Sequence, residues 1–275
     1  MNIKNWLKYA KLLLSYDNSV LDAEILLSYV LKKSRVWIKI FDCFVLNKVQ
    51  INILNNYLYR RKNFEPIAYI IQKKEFWSLS FIVSKNSLIP RPETEILVEQ
   101  SLNRLGKTGY ILDLGSGCGN IALSLAFEKP YCSVLGIDYI LELILLAKMN
   151  AVCLNISNAT FVQGNWFQSI NMQFNIIVSN PPYLSVNHMV GINKEVSFEP
   201  YYTLFSGSNG MSDISKIIYN AKKYLFLKGW LLIEYGIGQT KIIHNLFKEN
   251  DFYNISVYKD YHGYNRVIAG QKIYE

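Results

Sequence analysis

Apolar residues recur at three- and four-residue intervals within the first 65 residues of the chain. In the stretch NSVLDAEILLSYVLKK, they occupy Val20, Ala23, Leu26, Leu27, Val30 and Leu31. This interval matches the turn of an α-helix and predicts a helix with one apolar face. We therefore expect a small helical domain over residues 1–65, which either braces the rest of the chain or binds a macromolecular partner.

The spacing of the apolar residues changes between residues 66 and 90. The runs IAYII and FWSLSFIV alternate or are continuously apolar around the polar break QKKE, which predicts a β-hairpin that connects two domains. In the following stretch, LIPRPETEILVEQSLNRL, the prolines favour an extended backbone until Pro92 or Glu93 begins a helix.

Residues 91–275 are predicted to form the second domain. Short apolar runs (YILDL, SVLGID, ATFVQG, FNIIVS and WLLIEYG) alternate with helical stretches near 120–128, 140–153 and 211–226. This alternation is typical of a mostly parallel sheet covered by helices on both faces. The last two runs, FYNISVYKD and YNRVIAGQ, have no helix between them and predict an antiparallel pair at the sheet edge. The expected fold is α/β, with a seven-stranded doubly wound sheet.

The composition agrees with a folded protein of one large and one small domain, since the chain has 275 residues and is 51% hydrophobic. Its net charge of +8 is spread along the chain, so it is only a weak indication of nucleic-acid binding. The four cysteines form no CxxC pair and lie far from the three histidines, so neither a disulfide framework nor a metal site is predicted.

The N-terminal stretch MNIKNWLKYAKLLLSYD differs from a secretory signal because Lys8 and Lys11 interrupt a short apolar segment. No later run approaches the 18 uncharged apolar residues of a membrane span. We expect a cytoplasmic protein.

A glycine-rich turn separates the first strand of the second domain from its helix. In YILDLGSGCGNIALSLA, Gly115, Gly117 and Gly119 follow a GxGxG spacing, with Ser116 and Cys118 between them. Glycines let the backbone turn sharply and approach a ligand closely, while the helix N-terminus offers free N–H groups. Such a turn is weak evidence for a ligand by itself.

Asp138 strengthens this interpretation. It ends the next apolar run, SVLGID, 19 residues after Gly119, where a carboxylate can accept hydrogen bonds from both hydroxyls of a ribose. The alternative is a helix-capping aspartate. Together with the glycine turn, Asp138 favours an adenosine-containing cofactor at the carboxyl ends of the strands. The chain has no GxxxxGK[ST] loop, which disfavours a nucleoside triphosphate.

The run FNIIVS ends at Asn180, Pro181, Pro182 and Tyr183, which combine an amide, two stiff prolines and, we expect, an exposed phenol. Prolines fix the backbone and lack an N–H, so the backbone of these two residues offers carbonyl acceptors and no donors. Together with the Asn180 side chain, they can accept both hydrogens of a planar NH2 group. The alternative is a proline-stiffened turn that caps a strand.

Such a clamp suits methyl transfer to an amide or aryl nitrogen, which becomes more positive as it attacks. Acceptors at its hydrogens favour that charge and aim the nitrogen at the methyl group. Orientation can contribute roughly 7–11 kcal/mol, against about 1.5–3 kcal/mol for one hydrogen bond to a charged group. Tyr183 is expected to pack its ring against the flat substrate group.

These residues resemble the seven-stranded S-adenosylmethionine-dependent methyltransferases and, more closely, the release factor glutamine methyltransferases. The resemblance extends over almost the whole chain and is carried by SLIPRPETEILVE, ILDLGSGCGNIALSLA, GIDYI, GNWF, NIIVSNPPY, FEP and LLIEYG. The glycine and NPPY motifs define a broad class, whereas LIPRPETE is much more selective. A Rossmann-like methyltransferase fold is what this resemblance implies.

The resemblance also implies the roles of individual residues. The turn from Gly115 to Gly119, Asp138 and Asn180 would hold S-adenosylmethionine, with Trp166 near the adenine. The NPPY residues would receive the glutamine of the Gly-Gly-Gln motif of class 1 peptide chain release factors, bound with the help of the helical domain. Direct nucleic-acid binding and membrane association are not implied.

One position departs from the family pattern. These enzymes commonly have Asp before the tryptophan, where a carboxylate can accept from the adenine amino group, and this chain has Asn165. A neutral amide oxygen accepts less strongly, so we expect weaker cofactor binding.

Three other functions remain possible from the residues. A DNA adenine amino methyltransferase needs the same clamp, but it usually carries a basic target-reading region, and the best basic cluster here is only Arg60, Arg61 and Lys62. A glutamine methyltransferase acting on a ribosomal protein would lack LIPRPETE. The third is a catalytically silent module that binds a partner through its helical domain.

Overall fold

A computed structural model describes residues 1–14, 16, 18–168, 170–188 and 193–274. The chain forms two compact units. The first consists of residues 1–73 together with 193–198, and the second of residues 74–192 and 199–275.

The first unit is helical, as its sequence predicts. Its helices are α1 (Ile3–Leu14), α2 (Ser19–Leu31), α3 (Arg35–Ile40), α4 (Lys48–Lys62) and α5 (Ile67–Ile71). Ala23, Leu26 and Leu27 of α2 are fully buried and pack with residues such as Trp6 and Leu54 in one apolar cluster. Val20 departs from the predicted apolar face, since its side chain in the first turn of α2 is exposed.

A buried ion-pair cluster accompanies this apolar core. Arg61 of α4 donates to the Asp22 carboxylate at 2.6 Å and pairs with Glu195 of the 193–198 segment. The phenol of Tyr16 also donates to Asp22, at 2.6 Å. Because the Arg61 side chain is only 5% exposed, these carboxylates compensate a charge that is largely removed from water.

The predicted hairpin exists but is shorter than expected. Its strands are β1 (Lys73–Phe76) and β2 (Leu79–Ile82), so the prediction for IAYII is wrong: this run forms α5. Pro66 precedes the first residue of α5, and the apolar residues of this helix fill the helical unit. The turn falls at Trp77 and Ser78, which both have positive φ, as a two-residue hairpin turn with matched twist requires.

The second unit contains the predicted seven-stranded sheet. Its strands are β3 (Gly109–Leu114), β4 (Cys132–Asp138), β5 (Ala159–Gln163), β6 (Phe174–Ser179), β7 (Leu225–Glu234), β8 (Tyr253–Lys259) and β9 (Asn265–Gln271). Their order is β5-β4-β3-β6-β7-β9-β8. Strands β3 to β7 are parallel, and β9 pairs antiparallel with both β7 and β8, which confirms the predicted edge pair.

Helices cover both faces of this sheet. They are α6 (Glu95–Leu102), which continues a 3₁₀ turn at Pro92–Thr94, α7 (Asn120–Glu128), α8 (Leu141–Cys153), α9 (Tyr201–Leu204), α10 (Ser212–Ala221) and α11 (Thr240–Glu249). Neighbouring residues of β3 point to opposite faces: Ile111 packs with α6, α7 and α8, and Leu112 packs with α10 and α11. Within the described part of the chain, no helix is both long and apolar enough to span a membrane.

Two helices of the second domain differ from the prediction. The helix expected near 211–226 ends at Ala221, because Leu225 already belongs to β7 and pairs with Phe174 at the start of β6. Helix α11 was not predicted. Its apolar residues Ile243, Leu246 and Phe247 follow the helical spacing and pack against the sheet, so the pattern was present in the sequence.

Candidate active site

The carboxyl ends of the central strands line a cavity of about 410 Å³. Strand β3 lies between β4 and β6, so the segments that follow these three strands meet at one edge of the sheet. Of the residues singled out in the sequence, the cavity is lined by Gly115, Gly117, Asp138, Trp166, Asn180 and Pro182. The topology thus assembles residues that are far apart in sequence.

The glycine turn leaves β3 and leads into α7. Gly117 has φ +55 and Gly119, which caps α7, has φ +85. A Cβ at Gly117 would meet no atom within 4 Å, so its backbone faces open space, whereas a Cβ at Gly119 would press on Ala147 and Phe161 at 3.1 Å. Gly117 therefore permits close approach of a ligand, and Gly119 permits close packing.

Ser116 and Cys118 lie beside the large cavity. They line a smaller adjoining cavity of about 30 Å³, which Asn180 also borders. The buried Cys118 thiol has a pKa raised to about 12 by desolvation, so it stays protonated at neutral pH. These two residues contribute backbone to the turn.

Asp138 at the end of β4 holds the glycine turn from the other side of the cavity. Its Oδ2 accepts from the Gly117 N–H at 2.9 Å and its Oδ1 from the Ile140 N–H at 3.0 Å. Burial raises the pKa of this carboxyl. The cap residue of α8 is Ile140, so Asp138 is not the helix cap itself. The Tyr139 backbone N–H also stabilises the carboxylate, which keeps acceptor capacity for a further donor such as a ribose hydroxyl.

Trp166 and Asn165 border the same cavity beyond β5. Trp166 has a left-handed backbone with φ +50, and its six-membered ring lies 3.5 Å from the position of a Cβ on Gly115. Asn165 is exposed to solvent. The pair therefore offers an aromatic surface and an amide acceptor to a flat heterocycle.

Asn180 directly follows β6. Its side-chain Nδ2 donates to the Thr94 hydroxyl oxygen at 3.1 Å, and the residue borders both cavities. Because the two ends of a planar amide point in different directions, this hydrogen bond leaves Oδ1 to accept from a ligand.

The remaining NPPY residues differ in their exposure. Pro182 is half-buried and lines the cavity, whereas Pro181 is buried. The expectation of an exposed Tyr183 phenol is wrong: the residue is half-buried, packs against the apolar cluster under β7 and has its phenol pKa raised by desolvation. Its carbonyl accepts from the Gln239 side chain at 2.9 Å, which fixes the backbone after the prolines.

Two buried carboxyls lie beneath the site and were not predicted from the sequence. Glu234, the last residue of β7, is 1% exposed, and burial raises its pKa to about 7. Asp113 of β3 is fully buried, and desolvation likewise raises its pKa to about 7, although its Oδ2 accepts from the Ala122 N–H at 3.0 Å. One oxygen of each, Asp113 Oδ1 and Glu234 Oε2, has no hydrogen-bond partner among the described residues.

The cavity of about 410 Å³ has further lining residues that the sequence analysis did not assign to the site. They include Leu88, Tyr202 and Thr203. The FEP motif was a usable signal, because Glu199 within it accepts from the Ile89 N–H at 3.1 Å and pairs with Arg91, so it holds LIPRPETE in place.

This arrangement combines two chemical capacities. The cavity offers glycine backbone and a carboxylate suited to a nucleoside, together with an amide acceptor beside prolines. Such a cavity can hold a nucleoside-containing donor and an NH2-bearing acceptor side by side.

Comparison with known proteins matches both halves of the chain. A family model described as the PrmC N-terminal domain matches residues 5–71, and one described as a methyltransferase domain matches residues 105–275. The chain is 50% identical to the release factor glutamine methyltransferase of Buchnera aphidicola subsp. Baizongia pistaciae (strain Bp), over 99% of this chain and 100% of that protein. It is 38% identical to the protein of the same name from Escherichia coli (strain K12), over 98% and 99%.

The fold also resembles solved methyltransferases. A methyltransferase from Pyrococcus furiosus superposes with a TM-score of 0.55 at 18% identity, over 83% of this chain and 100% of that one. At this identity, the likeness supports the shared Rossmann-like fold.

Proposed function

The chain belongs to the release factor glutamine methyltransferases, and we propose that it methylates the side-chain amide nitrogen of the glutamine in the Gly-Gly-Gln motif of class 1 peptide chain release factors. The single observation that carries this proposal is the position of Asn180. Its amide nitrogen is held by Thr94, and it borders the same cavity as Gly117 and Asp138.

S-adenosylmethionine is the cofactor that fits this cavity. We assign its ribose hydroxyls to Asp138, which already fixes the glycine turn through Gly117. Trp166 and Asn165 are assigned to the adenine, and the backbone of Gly115 to Gly119 to the rest of the molecule. When bound, this cofactor supplies an electrophilic methyl group on a sulfonium. The volume of about 410 Å³ is in the range of small-molecule sites.

The NPPY residues are assigned to the glutamine amide. The Asn180 Oδ1 and the Pro181 carbonyl would accept the two amide hydrogens, and the rigid prolines would hold these acceptors in place. Acceptors placed before the reaction favour the positive charge that develops on nitrogen and cost no reorganisation. Tyr183 would support this platform from the apolar core and offer one edge of its ring to the substrate.

The release factor is the proposed protein substrate, and we assign its recognition partly to the helical domain. Because the substrate is a translation factor, we infer that the enzyme acts in the cytoplasm. The positive charge of +8 then needs no nucleic-acid partner, since it is diffuse.

The test is transfer of label from S-adenosylmethionine carrying a radioactive methyl group. The protein is incubated separately with a class 1 release factor, a mixture of ribosomal proteins and DNA. We expect label in the release factor alone, and its loss when the glutamine of Gly-Gly-Gln is replaced by alanine. Label in DNA or in a ribosomal protein, with an unlabelled release factor, would overturn the proposal.

A further inference from the structure

Two residues from distant parts of the chain lie close to the amide of Asn180. Its Nδ2 donates to the Thr94 Oγ1 at 3.1 Å, and both Thr94 and Glu234 are only 1% exposed. Ser179 of β6 pairs with Ile233 of β7, so the next residues of the two strands, Asn180 and Glu234, are neighbours. The side chains of Thr94 and Asn180 favour the ionised form of Glu234. The three side chains therefore form one network of neighbouring polar groups at the ends of β6 and β7 and the start of α6.

This network can select one orientation of the amide. The oxygen and nitrogen ends of an asparagine side chain have similar shape, so a pocket without hydrogen-bond selectivity accepts either. An ionised carboxylate only accepts hydrogen bonds, so Glu234 attracts the NH2 end of Asn180 and repels its oxygen. The oxygen is then directed away from Glu234, toward the position that the proposed function gives to the substrate.

We propose that Glu234 and Thr94 are positioning residues that fix the Asn180 amide with its oxygen toward the substrate NH2 group. This inference rests on the proposed function and deepens it. Neither residue needs to contact the substrate, since both would act through Asn180.

The charge of Glu234 makes the proposal sensitive to pH. The charged or titratable groups that face it are Arg266 of β9, which favours its ionised form, and Glu93 and Tyr183, of which Glu93 opposes it. Burial raises the pKa of Glu234 to about 7. Below this pH the protonated carboxyl can donate to the Asn180 oxygen, so the wrong amide orientation becomes favourable and methyl transfer should slow.

The test uses Glu234→Gln, Thr94→Val and Thr94→Ser in the full-length protein. A glutamine can accept or donate, so Glu234→Gln removes the selection at nearly constant size, and Thr94→Val removes the acceptor of Nδ2. We expect Glu234→Gln to lower kcat for release factor methylation about 10- to 150-fold, the range of one hydrogen bond to a charged group. Thr94→Val removes a neutral hydrogen bond and should lower kcat about fivefold, and both variants should leave the Kd for S-adenosylmethionine nearly unchanged. Thr94→Ser keeps the hydroxyl and should therefore retain most of the wild-type kcat.

The pH profile separates positioning from a purely structural role. In the wild type, kcat should rise through about pH 7 as Glu234 ionises, and Glu234→Gln should flatten this rise. Ser101→Ala is the matched control, since this buried hydroxyl on α6 donates to the Leu97 carbonyl at 2.7 Å, within its own helix. Thermal unfolding of each variant checks that it is folded.

The outcomes distinguish this inference from the proposed function. An inactive wild type would defeat the proposed function itself. If the wild type is active while folded Glu234→Gln and Thr94→Val keep full kcat and an unchanged pH profile, only the positioning role is wrong. The positioning role would also be wrong if Thr94→Ser were as slow as Thr94→Val, or if Ser101→Ala lowered kcat as much as the test variants do.

Discussion

Asn180 and Asn165 line the same cavity, and we predict that replacing each with alanine separates the chemical step from cofactor binding. Asn180→Ala removes an acceptor for the substrate amide, so it should lower kcat and leave the Kd for S-adenosylmethionine within a few-fold of the wild type. Asn165→Ala removes an acceptor for the adenine amino group, so it should raise that Kd and leave kcat at saturating cofactor nearly unchanged.

The magnitudes follow from the kinds of hydrogen bond lost. The substrate nitrogen becomes positive during transfer, and a hydrogen bond to a charged group contributes about 1.5–3 kcal/mol, which corresponds to roughly a 10- to 150-fold loss of kcat. Misplacement of the nitrogen adds to this loss. The exposed Asn165 loses only a neutral hydrogen bond of about 1 kcal/mol, or roughly a fivefold weaker Kd.

Asn165→Asp is the third member of the set. A carboxylate accepts more strongly than an amide oxygen, so this variant should bind S-adenosylmethionine severalfold more tightly. Isothermal titration calorimetry gives the three Kd values, and label transfer to a release factor at saturating cofactor gives kcat.

Two results would refute the reasoning. Near-normal turnover by Asn180→Ala would remove the clamp as the source of catalysis. If calorimetry shows that Asn165→Asp binds S-adenosylmethionine no more tightly than the wild type, residue 165 does not accept a hydrogen bond from the adenine. The presence of Asn instead of Asp at this position would then have no effect on cofactor binding.

Asp138→Ala should weaken binding of S-adenosylmethionine by about 100-fold or more in calorimetry, since two hydrogen bonds of about 1.5–3 kcal/mol each are at stake, while the exposed Glu142→Ala on the adjoining helix should not. Asp113 is protonated more readily in the folded state (pKa about 7) than in the unfolded chain (3.8), so its ionisation costs stability as pH rises through this interval. Urea unfolding at pH 8 should therefore give Asp113→Asn a higher free energy of unfolding than the wild type, by about 4 kcal/mol at most. The difference should be smaller at pH 5.5, and equal differences at the two pH values would contradict this prediction. In the helical unit, Arg61→Ala should lower the free energy of unfolding by about 3–5 kcal/mol because it leaves Asp22 buried without its partner, and the apolar pair Arg61→Met with Asp22→Leu should recover much of that loss.

The central parallel strands β3 and β6 were predictable because each is buried on both faces and reads as a continuous apolar run between turn residues. The run FNIIVS matches β6 residue for residue, and its end places Asn180 at the edge of the sheet. Helix α11 was missed although Ile243, Leu246 and Phe247 follow the helical spacing. IAYII was misread because five apolar residues fit a short buried helix as well as a strand.

The site was predictable only where its residues are neighbours in the sequence. The glycine turn and the NPPY residues form compact motifs, so their chemistry can be read locally. Thr94 and Glu234 stand 86 and 54 residues from Asn180. The pairing of β6 with β7 brings Glu234 to Asn180, and the packing of α6 against these strands brings Thr94. The burial that raises the pKa of Glu234 is likewise a property of the folded sheet.

The membership of residues 193–198 in the helical unit has a consequence for cutting the protein into pieces. Because Glu195 is a partner of the buried Arg61, a fragment ending at Lys73 keeps the guanidinium but loses one of the two carboxylates that neutralise it. The polypeptide passes between the units three times, after residues 73, 192 and 198. A single protease cut therefore cannot liberate a complete helical unit, and such a fragment should unfold more easily than the same residues do in the intact enzyme.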